Sequence, residues 1–354
     1  MTKRIRVLVV DDSAYNRRTI IKLLGTIAGV DVVGYACNGE DGLRKFFDLQ
    51  PDLVTLDLEM PRLDGFAFLR IVMQNRPTPV IVVSARADDD SVFKALEFGA
   101  VDFVAKPTSK ISPELANIRD DLVAKVLEVA GADMSKIIRR SAASGRSDKS
   151  VKNLENILRR RSGKYISQVV IGASTGGPPA LQTVLAAFDS PLPIGIAISQ
   201  HMPPIFTKAF ADRLNKFCGL EVKEAEAGDL MTSGRVLICP GGKNLSFQRR
   251  DTGVSVIISD PTDSQRYTPS VDVMFRSASE VFGANLLGVV LTGMGNDGAR
   301  GVDHIKEHGG QVLAESEETS VVFGMPKEAI ATGKVDKTLP LPLISAEILS
   351  RCGF

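Results

Sequence analysis

Cysteine, histidine and long apolar runs are all scarce in this 354-residue chain, and each scarcity removes a class of protein. The four cysteines, Cys37, Cys218, Cys239 and Cys352, lie far apart and form no C-x-x-C pair, which argues against a disulfide framework and a zinc knuckle. The longest apolar runs, such as Val7–Val10 and Ile194–Ile198, are too short to span a bilayer, so no membrane insertion is expected. An excess of either charge is lacking too. Lys and Arg number 43 against 42 Asp and Glu, and a net charge of +1 offers no global attraction to nucleic acid or anionic lipid. The first six residues include Lys3, Arg4 and Arg6 but run on into Asp11-Asp12 with no apolar signal region, so a cytoplasmic location is expected.

What is present is the composition of an ordinary globular protein, 44% hydrophobic and 24% charged, at a length that predicts two domains. Up to about Lys125, strand-like runs (Arg6–Val10, Leu53–Leu56, Val80–Val83, Phe103–Ala105) alternate with helix-period segments (Tyr15–Leu24, Gly65–Met73, Asp90–Phe98). Strands that are apolar throughout and separated by helices predict a parallel sheet covered on both faces, a doubly wound α/β domain over residues 1–125. Residues 126–165 carry ten Lys and Arg against four acids, with a Ser/Ala/Gly patch at Ser141–Ser147. No aromatic side chains interleave these charges as stacking platforms for bases, so the segment reads as a basic interdomain linker and no nucleic-acid partner is expected. From 166 to 354 the α/β alternation resumes, with strands at Gln168–Ile171, Gly195–Ile198, Arg235–Ile238 and Leu287–Leu291. Leu245–Arg249 and Val254–Ser259 flank Asp251-Thr252-Gly253 as an antiparallel hairpin. The second domain is therefore expected to be α/β with a mostly parallel sheet and an added hairpin.

In an open parallel sheet, ligands bind beyond the C-terminal ends of the strands. Four strands of the first domain end in reactive side chains: Asp11-Asp12, Asp57, Ser84 and Lys106. Three converging carboxylates repel one another unless a cation lies between them, and all-oxygen ligation with room for a phosphoryl group suits Mg²⁺. Lys106 and Ser84 would then meet phosphate oxygens, and the Asp57 carboxylate would attack phosphorus to give an acyl phosphate. In these residues and their order, residues 3–125 resemble the response-regulator receiver family, whose fold is flavodoxin-like. The resemblance implies phosphorylation at Asp57 and metal ligation by Asp12, Asp57 and the backbone carbonyl of Glu59, with Asp11 helping through water. It also implies an aromatic switch residue at Phe103 and a histidine kinase as phosphodonor.

Gly172-Ala173-Ser174-Thr175-Gly176-Gly177 follows a strand and precedes a helix start at Pro178. It has the spacing of a phosphate loop, but Pro178 stands where the lysine would be. It matches G-x-S-x-G in the strand–turn–helix context of a nucleophile elbow, with Ser174 at the apex. A serine hydroxyl needs a base, and only three histidines exist. His201 follows the strand Gly195–Ile198, and the prolines after it suggest an exposed loop. His304 and His308 spell H-x-x-E-H, a zinc pattern, but the apolar side of their helix is Ala299, Val302 and Ile305, which turns both histidines toward solvent. For the third member, Asp297 in Thr292–Gly298 lies at another strand end, while its rival Asp272 reads better as part of a helix start. The chain order Ser, His, Asp differs from that of α/β-hydrolases.

The receiver, the linker and the segments Gly172–Gly177, Gln200–Pro204 and Gly293–Gly298 together resemble the chemotaxis protein-glutamate methylesterase family. Pro240–Gly242, Pro269–Asp272 and Phe323–Pro326 match as well, while Lys243-Asn244 departs where relatives often carry histidine. The resemblance implies hydrolysis of glutamate γ-methyl esters on methyl-accepting chemotaxis receptors, with methanol released, and deamidation of receptor glutamines. It assigns the triad to Ser174, His201 and Asp297, oxyanion or orienting roles to Thr175 and Met294, and no cofactor to the hydrolysis. The unphosphorylated receiver is expected to inhibit the catalytic site, and the protein is expected to be a monomer. A receiver-controlled esterase for another substrate shares every one of these residues, a receiver-driven transcription factor lacks an evident helix-turn-helix, and a zinc hydrolase would depend on His304 and His308 instead of Ser174.

Overall fold

Ile5–Val10 forms the first strand, β1, and Val7 to Val10 are all at most 1% exposed, as a strand covered on both faces requires. The computed structural model describes residues 4–84, 90–106, 113–130, 134–137, 166–188 and 192–353. The chain divides into two units, Met1–Gly145 and Arg146–Phe354. In the first, β1 is joined by β2 (Val30–Ala36), β3 (Leu53–Leu56), β4 (Val80–Ser84) and β5 (Asp102–Ala105) in the order β2-β1-β3-β4-β5. Every pairing is parallel, the doubly wound flavodoxin-like arrangement. Polar side chains start the intervening helices: Ser13, Asn38 and Asp64 accept from the amides of Asn16, Asp41 and Ala67. The helix Pro113–Val129 carries the packing beyond residue 125, since Val126 and Val129 are buried. Most of the basic segment, including Arg139-Arg140 and Arg159–Arg161, lies outside the described residues.

The second unit holds a seven-stranded sheet in the order β14-β13-β12-β6-β7-β9-β8. Its strands are β6 (Gln168–Ala173), β7 (Gly195–Gln200), β8 (Glu221–Glu224), β9 (Arg235–Ile238), β12 (Leu286–Val290), β13 (Gln311–Glu315) and β14 (Lys337–Leu339), all parallel. The chain leaves β6 toward β7 on one side and later returns to its other side as β12, so the direction of winding reverses beside β6. The hairpin forms a separate two-stranded sheet of β10 (Asn244–Arg250) and β11 (Gly253–Ser259), so Gly253 begins a strand and the turn is Asp251-Thr252. Phe247 and Val256 of the hairpin share a buried cluster with Met274 and Phe275 of the helix Val271–Phe282. Among the described residues no helix is long and apolar enough to cross a membrane.

Candidate active site

The first unit gathers its reactive residues where β1 and β3 end, the reversal point of that sheet. Lys106 Nζ donates to Asp57 Oδ2 at 2.6 Å and lies 3.9 Å from Asp11 Oδ2. The amide of Glu59 donates to Asp57 Oδ1 at 3.2 Å, and that of Ser13 to Asp11 Oδ1 at 2.8 Å. Burial pushes the Asp11 carboxyl up to about 6, against the pull of Lys106 and with the help of the Asp57 charge. Burial also raises Asp57, again opposed by Lys106. Ser84 ends β4 and its carbonyl accepts from the Lys106 amide at 2.8 Å. Phe103 is buried with its ring edge-on to Phe93, the centroids 5.9 Å apart. Oxygens of Asp11, Asp12 and Asp57 all lie within 4.8 Å of one another, and Asp11 Oδ2 is buried without a hydrogen bond. An orphaned carboxylate oxygen inside an all-oxygen cluster is a donor set that fits a hard divalent cation.

The second unit brings Ser174, His201 and Asp297 together from the ends of β6, β7 and β12, again at a reversal point. Ser174 is held through its backbone. Its amide donates to the Thr292 carbonyl at 3.0 Å, and its carbonyl accepts from the Gly177 amide at 2.7 Å and from Gln200 Nε2 at 3.0 Å. Gly176, at φ +74°, makes the left-handed step into the helix Gly177–Ala186. Gly293 lies so close that a Cβ there would stand 2.7 Å from Ser174 Cβ and 2.5 Å from Met325 Sδ. Gly293→Ala is therefore expected to displace Ser174 and lower the turnover number about 10- to 100-fold with the chain still folded, read from ester hydrolysis beside a melting curve.

His201 Nε2 and Asp297 Oδ2 are 2.8 Å apart. Asp297 is 2% exposed and fully engaged: Oδ2 also accepts from the Val271 amide at 2.7 Å, and Oδ1 from the Asp272 amide at 2.9 Å and Ser270 Oγ at 3.1 Å. Burial works to raise its carboxyl, but the hydrogen bond and charge of His201 and the two amides outweigh burial and hold it below its ordinary value. With Nε2–H committed to the carboxylate, Nδ1 is the nitrogen left to act as a base. Among the described residues no hydrogen bond joins Ser174 Oγ to His201, a contact that commonly tightens only with substrate present.

The imidazole is not exposed as its flanking prolines suggest. Pro204 is at the surface, but the His201 side chain is only 14% exposed. The cause is Tyr267, whose ring lies parallel to the imidazole within 2° at 5.2 Å. Thr175 is buried, and its link to the site runs through its carbonyl, which accepts from Thr292 Oγ1 at 3.0 Å; Met294 is half-buried in the loop that carries Asp297. His304 and His308 stay on their helix, His308 Nδ1 lying 2.8 Å from the His304 carbonyl. Among the described residues, the metal-sized cluster of carboxylates, histidines and thiols is Asp11, Asp12 and Asp57.

The CheB methylesterase family matches residues 169–348, and the Response regulator receiver domain family matches residues 7–114. A protein-glutamate methylesterase/protein-glutamine glutaminase of Geobacter sulfurreducens is 54% identical over 365 residues, covering 99% of this chain and 98% of its own. The chain belongs to the protein-glutamate methylesterase/protein-glutamine glutaminase family. A second such protein, from Myxococcus xanthus, is 47% identical over 95% of this chain and 94% of its own length. The crystal structure of the Thermotoga maritima CheB methylesterase catalytic domain superposes with a TM-score of 0.51 at 39% identity, covering 52% of this chain and 98% of that one. As a member of this methylesterase family the chain is a receiver-bearing carboxylic ester hydrolase. Two residues of its site escaped the sequence reading. Gln200 Nε2 bridges the carbonyls of Ser174 and His201 at 3.0 Å each, and its only signal is its place at a strand end beside the histidine. Tyr267 is the sole aromatic in the polar stretch Asp260–Pro269, a faint hint that this loop covers something.

Proposed function

We propose that Ser174, His201 and Asp297 form the catalytic triad of a glutamate methylesterase acting on methyl-accepting chemotaxis receptors, under control of a receiver phosphorylated at Asp57. The observation that carries the reading is the His201–Asp297 hydrogen bond at the mouth of the sheet, beside the elbow that holds Ser174. Ser174 Oγ attacks the ester carbonyl while His201 Nδ1 takes its proton. Asp297 holds the opposite edge of the ring and stabilises the imidazolium. His201 then gives the proton to the departing methoxide, which leaves as methanol. A water, deprotonated by the same nitrogen, cleaves the acyl-enzyme to free the glutamate carboxylate and return the proton to Ser174. The same steps on a glutamine side chain release ammonia. Thr175 and Met294 orient the site or offer backbone N–H groups to the oxyanion, and one such donor is worth ~3 kcal/mol.

In the receiver, Asp57 takes a phosphoryl group from a histidine kinase: a P–N bond breaks, a P–O bond forms, and the kinase imidazole is released. Lys106 and Ser84 meet the phosphoryl oxygens, and Phe103 responds to them. Asp12, Asp57 and the carbonyl of Glu59 would hold Mg²⁺, with Asp11 reaching it through water, and a cation held there would supply neutralisation of charge on the phosphoryl oxygens. The receiver, residues 1–125, inhibits the catalytic domain, residues 166–354, until Asp57 is phosphorylated, and residues 126–165 link them in a monomeric, cytoplasmic protein. Each tenfold of activation requires ~1.4 kcal/mol. Methanol release from methylated receptor membranes tests the reading. A small-molecule phosphodonor is expected to raise the rate at least tenfold, Asp57→Asn to lose that increment, and a chain beginning near residue 164 to match the activated rate. A shortened chain no faster than the unphosphorylated whole would overturn the inhibition.

A further inference from the structure

Two helices begin side by side at this site, and each leaves N–H groups of its first turn without partners inside the helix. The helix Val271–Phe282 has Ser270 as its N-cap, accepting from the Val273 amide. The helix Ala299–Glu307 has Gly298 there, with no side chain to offer. The missing acceptor comes from the other helix: Asp272 Oδ1 accepts from the amides of Gly298 at 2.9 Å and Gly301 at 2.8 Å. The exchange runs in both directions, because Asp297, two residues before Ala299, takes the amides of Val271 and Asp272. Each helix start is thus closed by a carboxylate from the other. Asp272 is tied in twice, donating its amide to Asp297 Oδ1 and accepting from the residue that follows Asp297. The helices also pack tightly, since a Cβ on Gly301 would lie 2.5 Å from Phe275 Cβ.

Two carboxylates this close repel one another, and the Asp297 charge adds to burial in raising the Asp272 carboxyl, against the amides of Gly301 and Gly298 and the charge of Arg300. The positive helix starts offset the repulsion. Resting on the triad reading above, we propose that Asp272 is a positioning residue of the esterase reaction, fixing the loop 296–298 so that Asp297 meets His201 Nε2. Removing its side chain leaves two part-buried amides without their acceptor and frees that loop to shift, and a displacement of about 1 Å in catalytic geometry can cost up to ~10²-fold in rate.

The test uses the full chain and reads kcat and KM for methanol release, the melting temperature, and the downfield proton NMR signal of the His201–Asp297 hydrogen bond. Asp272→Ala is expected to lower kcat at least tenfold, leave KM unchanged and broaden the downfield signal in a folded protein. Asp272→Asn presents the same Oδ1 to the same two amides, and is expected to restore kcat to within about threefold of wild type with the signal recovered. Wild-type kcat in Asp272→Ala, equal impairment of the two variants, or a loss that only tracks the unfolded fraction would each overturn the proposal. Ser174→Ala is run beside them. If it is inactive while Asp272→Ala is normal, the positioning role alone fails; if it is active, the triad reading fails and the role with it.

Discussion

Ser174→Ala is expected to lower methanol release by about 10⁴- to 10⁶-fold while leaving the fold and the phosphorylation of Asp57 as they are. The size of the loss follows from the proposed mechanism, in which no acyl-enzyme forms without Oγ and only oriented water and the remaining dipoles act on the ester. The selectivity follows from how the residue is held. The hydrogen bonds that fix Ser174, from its amide to Thr292 and into its carbonyl from Gly177 and Gln200, are all made by its backbone. Alanine keeps each of them and retains the Cβ that packs against Gly293. Wild-type methanol release by this variant would end the serine mechanism, and a large drop in melting temperature would mean that the hydroxyl has a structural role.

Asp297→Asn is expected to cost about 10⁴-fold in kcat, with KM little changed. An asparagine must place its NH₂ where one of the two carboxylate oxygens now sits. On the Oδ2 side it would face the Val271 amide and His201 Nε2; on the Oδ1 side it would face the Asp272 amide. Either way a donor meets a donor, and on the Oδ2 side the imidazole is pushed toward the tautomer that protonates Nδ1, the nitrogen that the proposed mechanism uses as base. The unmade bond also destabilises the fold by about 1–3 kcal/mol at neutral pH. Because the folded carboxyl of Asp297 lies below its ordinary value of 3.8, its contribution to stability is fully present above that value. The contribution fades as pH falls through the lowered folded value, so the stability gap between wild type and variant should narrow only below about pH 4. Denaturant unfolding at neutral and acid pH checks the sign, and an unchanged kcat would remove Asp297 from the mechanism.

The fold was legible in proportion to how deeply each strand is buried. β1, β3, β4, β6 and β7 are covered on both faces, so their sequences are continuous apolar runs and read directly as strands. The strands without such a run lie at or next to sheet edges. β2, β8 and β14 are edges, and they carry Asp31, Glu221 and Lys337 because an edge is only partly covered. β13, one place in, ends in Glu315, which is wholly buried because the Thr292 amide and the Thr319 hydroxyl satisfy it.

Local sequence was enough to place Ser174, His201, Asp11 and Asp57 just beyond the ends of strands, and Asp297 in the loop that follows one. A strand's end is set by where apolar residues give way to glycine and polar ones, and that change is written along the chain. Which side chains then meet was a matter of strand order. Pairing β6 with both β7 and β12 brings residues 174, 201 and 297 to one place, and nothing local encodes that adjacency. The same holds for the partners of Asp297 and Asp272. Each looks in sequence like a cap or first-turn residue of its own helix, yet each closes the start of the other's helix. A carboxylate takes whichever unsatisfied N–H groups packing brings within reach, so it was decided only when the two helices came together that Asp297 would close the helix containing Asp272, and Asp272 the helix after Asp297.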